Sequence, residues 1–143
     1  MSKIVRPVFL YDTLMSMDVL ARLDVRPDSY EIAALDAWRL VCDPWPRLEP
    51  KEVGTTYGIL VSLSVKEIER AANGPEWKDK DYFPEPVIVR VNRNLLSPAL
   101  AFTPNPPTVA SAPGINTLKE IVRHARSHGF PDWYIHELES LSV

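Results

Sequence analysis

The sequence has few of the residues that disulfides, metal sites and nucleic-acid surfaces require. Cys42 is the single cysteine among 143 residues, so no internal disulfide can form, and no Cys/His cluster accompanies it to suggest zinc. The net charge is −3 at pH 7, which leaves no basic field for nucleic acid or anionic lipid. No apolar run approaches the length of a membrane span. We therefore expect no metal, no nucleic-acid partner and no membrane partner.

The first residues, MSKIVRPVFLYD, contain no apolar region of the signal-peptide kind. With the single cysteine, this favours a reduced, cytoplasmic protein. The length predicts one domain, residues 1–143, with a core of its own. The residue in excess is proline, with 14 copies against 5 glycines.

Apolar patterning predicts strands at Val5–Tyr11, Tyr30–Val41, Val53–Leu63, Tyr82–Val91 and Leu95–Thr103. The second is either a strand pair or one long bent strand, and the last pairs back on the one before it. The segment DPWPRLEP (43–50) is predicted to be a proline-pinned loop, because residues before proline avoid the helical region. PNPPTVASAPG (104–114) is typical of a linker-like arm.

Helical spacing predicts a short helix at Leu14–Leu23 and a second one that opens with a capping box at Ser64 and stops at Asn73-Gly74-Pro75. A third helix, NTLKEIVRHARSHG, is capped by Asn116 or Thr117 and ends at Gly129. Pro131 suits the first turn of a last helix, PDWYIHELESL. Strands and helices that do not alternate regularly predict an α+β fold with a mixed or barrel-like sheet.

Three separated segments, in this order, together resemble the γ-glutamylcyclotransferase-like (AIG2-like) family. They are VFLYDTLM, then ALDAWRLVCDPWPRLEP with VGTTYGILVSLSVKEIERAANGPE, and finally SAPGINTLKEIVRHARSHGFPDWYIHEL. The first is similar to the family's Tyr-Gly-Ser/Thr-Leu signature. The resemblance implies a small mixed β-barrel flanked by helices.

The resemblance also implies an enzyme with an intramolecular reaction. The α-amine of a γ-glutamyl group attacks its own γ-carbonyl, which releases 5-oxoproline and the free amine. A carboxylate accepts the ammonium proton and returns it to the leaving nitrogen. No cofactor is implied, and the partner is a small-molecule substrate.

Carried over to this sequence, the signature loop is Tyr11, Asp12, Thr13 and Leu14, whose backbone N–H groups would hold the glutamyl carboxylate. Tyr11 and Leu14 could equally be core residues, and Thr13 a helix cap. Asp12 stands where the family has glycine, and it tolerates left-handed backbone geometry better than most residues. Either its side chain turns to local backbone donors, or the pocket prefers a cationic or neutral group.

Glu76 is the predicted catalytic carboxylate, after a one-residue shift of the family pattern, and Glu85 is the alternative. Tyr82 matches a pocket tyrosine or is a rim aromatic. Asp79 and Asp81 fit a solvated charge run. Trp45 and Trp77 lie in loops that flank the predicted cleft.

Two departures weaken recognition of a glutathione-derived substrate: Thr117 stands near the family's substrate-side tyrosine, and His124-Ala125 replaces a Gly-Ala pair. Because no other ligand accompanies them, His124 and His128 predict no metal site.

Three functions remain open at this point. The first is a γ-glutamylcyclotransferase-like enzyme with an altered pocket, acting on a γ-glutamyl amine or amino-acid derivative. In the second, Asp12 and Glu76 form an acid/base pair for cyclisation or isomerisation of a small metabolite. The third is a non-catalytic small-molecule binding protein. The oligomeric state is not predicted.

Overall fold

The computed structural model describes residues 4–42, 45–75, 77, 82–104 and 115–141. Its strands are β1 (Val5–Leu10), β2 (Glu31–Cys42), β3 (Pro46–Ser64), β4 (Tyr82–Val91) and β5 (Leu95–Pro104). They close into a barrel in the order β1-β3-β2-β4-β5. The β1–β5 pairing is parallel and the other pairings are antiparallel. The predicted α+β fold with a small mixed barrel is confirmed.

The barrel interior is filled by alternate residues of the strands, as the period of two requires. On β4, for example, Val87 and Val89 are buried while Ile88 between them is exposed. β1 lies so close to β3 that a Cβ on Gly58 would stand 2.3 Å from the carbonyl oxygen of Leu10. Only glycine permits this approach, which brings the end of β1 into the core.

The prediction of a proline-pinned loop is wrong for Pro46–Pro50. These residues form the first part of β3 and pair with β2. Pro46 is the first residue of the strand, and Pro50 pairs with Trp38 beside a register shift. Strands tolerate proline at both kinds of position, because no ladder hydrogen bond is lost. Asp43 and Pro44 lie outside the described residues.

The long-bent-strand alternative for Tyr30–Val41 is the one observed. β2 runs without interruption, and its pairing with β3 shifts register between Asp36 and Trp38, an irregularity of the kind that bends strands. Ala37 lies between them with φ of 69°, an uncommon left-handed conformation for a residue with a side chain.

The helices are α1 (Met17–Arg22), α2 (Val65–Ala72), α3 (Ile115–His128) and α4 (Asp132–Ser140). The helix predicted at Leu14–Leu23 is shorter than expected, since a 3₁₀ turn at Thr13–Met15 precedes α1. Ser16 separates the two and its hydroxyl accepts from Val19 N. Ser16 is therefore the N-cap of α1, and the predicted capping role of Thr13 is wrong.

The termini of α2 and α3 follow the local signals with one exception. Ser64 and Glu67 form the predicted capping box at the start of α2. Gly129, with φ of 74°, ends α3 as predicted. However, α3 begins at Ile115, before Asn116 or Thr117. Pro131 precedes α4 as its N-cap residue.

Within the described ranges, no helix is long and apolar enough to span a membrane. The same part of the chain contains no group of three or more His, Cys, Asp or Glu side chains arranged to hold a metal ion. Pro104 ends β5, and residues 105–114 of the predicted arm lie outside the described residues.

Candidate active site

The loop after β1 begins with a buried tyrosine that ties β1 to β5. The phenol of Tyr11 donates a hydrogen bond to the carbonyl oxygen of Phe102 at 2.9 Å. Burial raises the pKa of Tyr11 well above its usual value, the negative charge of Asp12 raises it further, and a hydrogen bond with the Thr103 hydroxyl opposes them. Tyr11 is therefore a neutral phenol at physiological pH, held in place by the end of β5.

Asp12 is buried, with 3% of its surface exposed. Its Oδ1 accepts from the backbone N–H of Leu14 at 3.0 Å. Its Oδ2 accepts from the indole Nε1–H of Trp77, also at 3.0 Å. The side chain has thus turned to a local backbone donor, the first of the two outcomes expected for it, and also to a side-chain donor that is distant in sequence. Its φ of −107° shows that the position does not need left-handed geometry.

Trp77 is the residue that joins the loop to the far side of the site. It is buried, and its ring lies 5.0 Å from that of Tyr82 at an interplanar angle of 23°. The Phe102 ring is 5.2 Å away. Because Trp77 also bonds Asp12, it brings Tyr11, Asp12 and Tyr82 together, although they are far apart in sequence.

The sequence pattern understates the importance of Trp77, which it places only in a loop beside the cleft. The available signal is an aromatic residue inside the charged stretch EWKDKD, next to the predicted catalytic glutamate. An apolar ring in such a stretch favours burial. Its hydrogen-bond partner, 65 residues away in sequence, has no local signal.

Thr13 and Leu14, the other two residues of the loop, belong to the 3₁₀ turn, and Leu14 is also part of the core. Leu14 has no exposed surface and belongs to the core. Thr13 opens the 3₁₀ turn and is partly buried. Their predicted contribution to substrate binding stays a prediction.

Glu76 lies outside the described residues, as do Asp79 and Asp81. In the sequence, Glu76 directly precedes Trp77, whose indole is fixed on Asp12. The alternative carboxylate, Glu85, is partly buried on β4 and pairs with Ala101 of β5.

The two histidines of α3 have separate environments. His128 Nε2 lies 2.7 Å from the carbonyl oxygen of Met15. A carbonyl only accepts, so Nε2 carries the proton and donates. Burial, followed by the charge of Arg123, lowers the pKa of His124. Thus His128 helps to hold the end of the site loop, and His124 is a mainly neutral side chain on the helix.

Comparison with solved structures finds this architecture in several proteins. A structure described as "Gamma-glutamyl cyclotransferase" matches with a TM-score of 0.76 and 14% identity, over 96% of this chain and 88% of that one. YkqA from Bacillus subtilis matches with a TM-score of 0.77 and 18% identity, over 98% of this chain and 55% of its own. A yeast γ-glutamyl cyclotransferase specific to glutathione has a TM-score of 0.65 and 10% identity, over 99% and 95%.

No protein-family model matches the sequence, and no curated protein matches it. At 10–18% identity the solved structures establish the fold and leave the reaction open. The resemblance carried by three short sequence segments is thereby confirmed at the level of architecture. The chain has the fold of the γ-glutamylcyclotransferase-like proteins.

Proposed function

We propose that the protein is a cytoplasmic γ-glutamylcyclotransferase-like enzyme. Its substrate is a γ-glutamyl amine or γ-glutamyl amino-acid derivative. The α-amine attacks the γ-carbonyl, the bond from that carbonyl to the leaving nitrogen breaks, and 5-oxoproline and a free amine are released. The reaction needs no oxidant and no second substrate.

The observation that carries the proposal is the junction of Asp12, Trp77 and Tyr82. The loop after β1, which supplies the family-like signature, is hydrogen-bonded to the segment before β4 through Trp77, whose ring stacks on Tyr82, the first residue of β4. The fold around this junction matches a γ-glutamyl cyclotransferase over 96% of the chain. Both findings support a site between the loop and that segment.

Glu76 is proposed to transfer the proton. It accepts a proton from the α-ammonium, so that the amine becomes a nucleophile, and returns it to the leaving nitrogen. Its sequence position next to Trp77 supports this role, because Trp77 is anchored in the loop.

Asp12 is proposed to hold the loop and not to transfer protons. Each of its carboxylate oxygens already accepts a hydrogen bond, from Leu14 N and from Trp77 Nε1. Protonation of either oxygen would oppose one of these bonds. This arrangement favours the cyclotransferase proposal over the two-carboxylate alternative with Asp12 and Glu76.

The test is an assay for 5-oxoproline by mass spectrometry with a panel of γ-glutamyl amines and γ-glutamyl amino acids. We expect release by the wild type and a loss of kcat of about 100-fold or more in Glu76→Gln, the usual contribution of general acid–base catalysis. Glu85→Gln is the matched control, since it removes the alternative carboxylate, and it should retain activity.

Other outcomes contradict the assignment in distinct ways. Loss of activity in Glu85→Gln alone would move the catalytic role to Glu85. If the wild type releases no 5-oxoproline from any member of the panel, the proposed reaction is wrong.

A further inference from the structure

The carbonyl group of Met15 lies between two local hydrogen-bonded structures and is used by neither. In the 3₁₀ turn, Met15 N donates to Asp12 O at 3.1 Å, and Ser16 N donates to Thr13 O at 3.2 Å. The ladder of α1 begins one residue later, with the bond from Leu20 N to Ser16 O. Met15 has no exposed surface. Its carbonyl oxygen therefore needs a donor from another part of the fold.

His128 of α3 supplies this donor. Its Nε2–H donates to Met15 O at 2.7 Å, although the two residues are 113 positions apart in sequence. The imidazole ring meets the Tyr30 ring at an interplanar angle of 74° and stacks on the Phe130 ring at 20°. The centroid distances are 5.2 Å and 5.6 Å. Contacts on two sides fix the orientation of the ring, so the donor is preorganised for Met15.

Met15 connects His128 to the junction of the candidate active site. Its carbonyl accepts from His128, and its N–H donates to the carbonyl of Asp12. The Asp12 carboxylate in turn accepts from the indole of Trp77 at 3.0 Å. Three successive hydrogen bonds thus join α3 to Trp77. Trp77 directly follows Glu76 in the sequence.

The two ends of the loop are attached to different parts of the fold. Tyr11 donates to the carbonyl of Phe102 on β5, whereas Met15 accepts from α3. On the α3 side, Ser16 and His128 line a cavity of about 560 Å³. Groups beside a cavity have fewer packing contacts. We therefore expect the hydrogen bond from His128, more than packing, to fix this end of the loop.

We propose that His128 is a positioning residue for the reaction and acts through the carbonyl of Met15. Its hydrogen bond fixes the loop, and with it the junction of Asp12 and Trp77. The inference rests on the proposed function for the identity of the reaction. A displacement of about 1 Å can lower a catalytic rate about 100-fold. Because the geometry of the bound substrate is what changes, kcat should respond more than KM.

The kinetic test compares two substitutions of His128 in the 5-oxoproline assay. His128→Phe keeps an aromatic ring beside Tyr30 and Phe130 but removes the donor, and it should lower kcat about 10-fold or more with KM within about 3-fold. His128→Gln still carries an N–H donor and should keep kcat within about 3-fold of the wild type. An unchanged kcat in His128→Phe, or equal losses in the two variants, would overturn the proposal.

His124→Phe is the matched control. It makes the same substitution one turn earlier on α3, at a side chain whose Nε2 has no hydrogen-bond partner in the described part of the chain. We expect kcat to stay within about 2-fold of the wild type. A loss as large as that of His128→Phe would also overturn the proposal, because any change in α3 would then act on the site.

Hydrogen exchange separates failure of the positioning role from failure of the reaction. Exchange of the Met15 N–H and the Trp77 Nε1–H, followed by ¹H–¹⁵N NMR at one pH, reports on the two bonds beyond the Met15 carbonyl. Both should exchange about 10-fold faster or more in His128→Phe. In His128→Gln and His124→Phe they should exchange as in the wild type.

The two measurements have distinct outcomes. Faster exchange in His128→Phe with no 5-oxoproline release by the wild type would sustain the link from His128 to Trp77 and contradict the reaction. Turnover by the wild type with unchanged exchange in His128→Phe would overturn the link and sustain the reaction.

Discussion

The loop after β1 and the start of β3 differ in whether their buried polar groups are hydrogen-bonded. In the loop, Asp12 is negatively charged and both of its oxygens accept hydrogen bonds. At the start of β3, Arg47 is positively charged and its buried Nε–H, like that of Trp45, has no acceptor in the described chain. A satisfied buried group stabilises the fold, whereas an unsatisfied one lowers stability and is available to a ligand. The difference separates a region held together by its own hydrogen bonds from one that keeps unsatisfied buried donors.

The largest effect should come from Asp12→Ala, which removes the hydrogen-bonded carboxylate of the loop. The variant leaves the Leu14 N–H and the buried Trp77 Nε1–H without their acceptor, and we expect a loss of about 2–4 kcal/mol in the free energy of unfolding. Urea denaturation followed by circular dichroism measures it. Arg47→Gln is the comparison variant and should lose less than about 1 kcal/mol, because it breaks only the bond to the partly exposed Glu49 and none to Nε. Similar losses in both variants would contradict the distinction.

A second pair of variants compares the two tryptophans with the same substitution. Trp77→Phe removes the N–H that bonds Asp12 and should cost about 1–2 kcal/mol of unfolding free energy. Trp45→Phe removes an N–H without a partner and should leave stability unchanged or slightly higher. The double variant Asp12→Ala/Trp77→Phe should lose less than the sum of the single losses, since both act on one bond. Strict additivity would show that the bond is unimportant.

The two regions should also respond at opposite ends of the pH scale, and the alkaline response belongs to the loop. The pKa of Tyr11 is raised by burial, followed by the charge of Asp12. Its contribution to stability is complete below the unfolded-state pKa, near 10, and is lost as pH rises, by up to about 1.4 kcal/mol per pH unit. Denaturation from pH 8 to 11 should show a shallower loss in Tyr11→Phe. An identical slope would mean that Tyr11 ionises freely in the folded state.

The change in stability at acid pH is expected from Glu49 at the start of β3, and it should be the smallest of the predicted effects. The pKa of Glu49 is lowered, first by its hydrogen bond from Arg39 and then by that from Arg47. Its contribution is present above the unfolded-state pKa, near 4.5, and is lost as pH falls through the lower folded value. Because these charges are partly exposed, we expect a difference below about 1 kcal/mol between wild type and Glu49→Gln from pH 6 to 3. A greater acid loss in Glu49→Gln would reverse the predicted sign.

The parts of the fold that were predicted correctly depend on neighbours in sequence. Strand alternation, the capping box of Ser64 with Glu67 and the C-terminal Gly129 all involve residues within a turn of each other. One error occurs where pairing with another strand decides, and the other arises in a local turn. Pro46–Pro50 is extended because β2 pairs with it, although its prolines alone indicate a loop. Thr13 does not cap α1, because the intervening 3₁₀ turn transfers that role to Ser16.

The sequence likewise predicted some residues of the candidate site and not the hydrogen bonds between them. The sequence segments that resemble the family were sufficient to single out Tyr11, Asp12 and Tyr82, and the structure brings these residues to one place. They were insufficient to choose between the two orientations of Asp12, since its Trp77 partner is 65 residues away. Trp45 was predicted only as a residue beside the cleft, and nothing in the sequence singles out Arg47. Whether a donor is satisfied depends on everything packed around it.

By itself, the sequence determined the class of fold, the order of its elements and the chemical groups available at the end of β1, because these follow from local periodicity and residue type. Only the tertiary structure decided which of those groups are bonded. Asp12 meets Trp77, and the backbone of Leu48 meets Thr103, through barrel closure that joins segments up to 65 residues apart. The physical reason is that hydrogen bonds reach about 3 Å, whereas sequence patterns report only on neighbours along the chain.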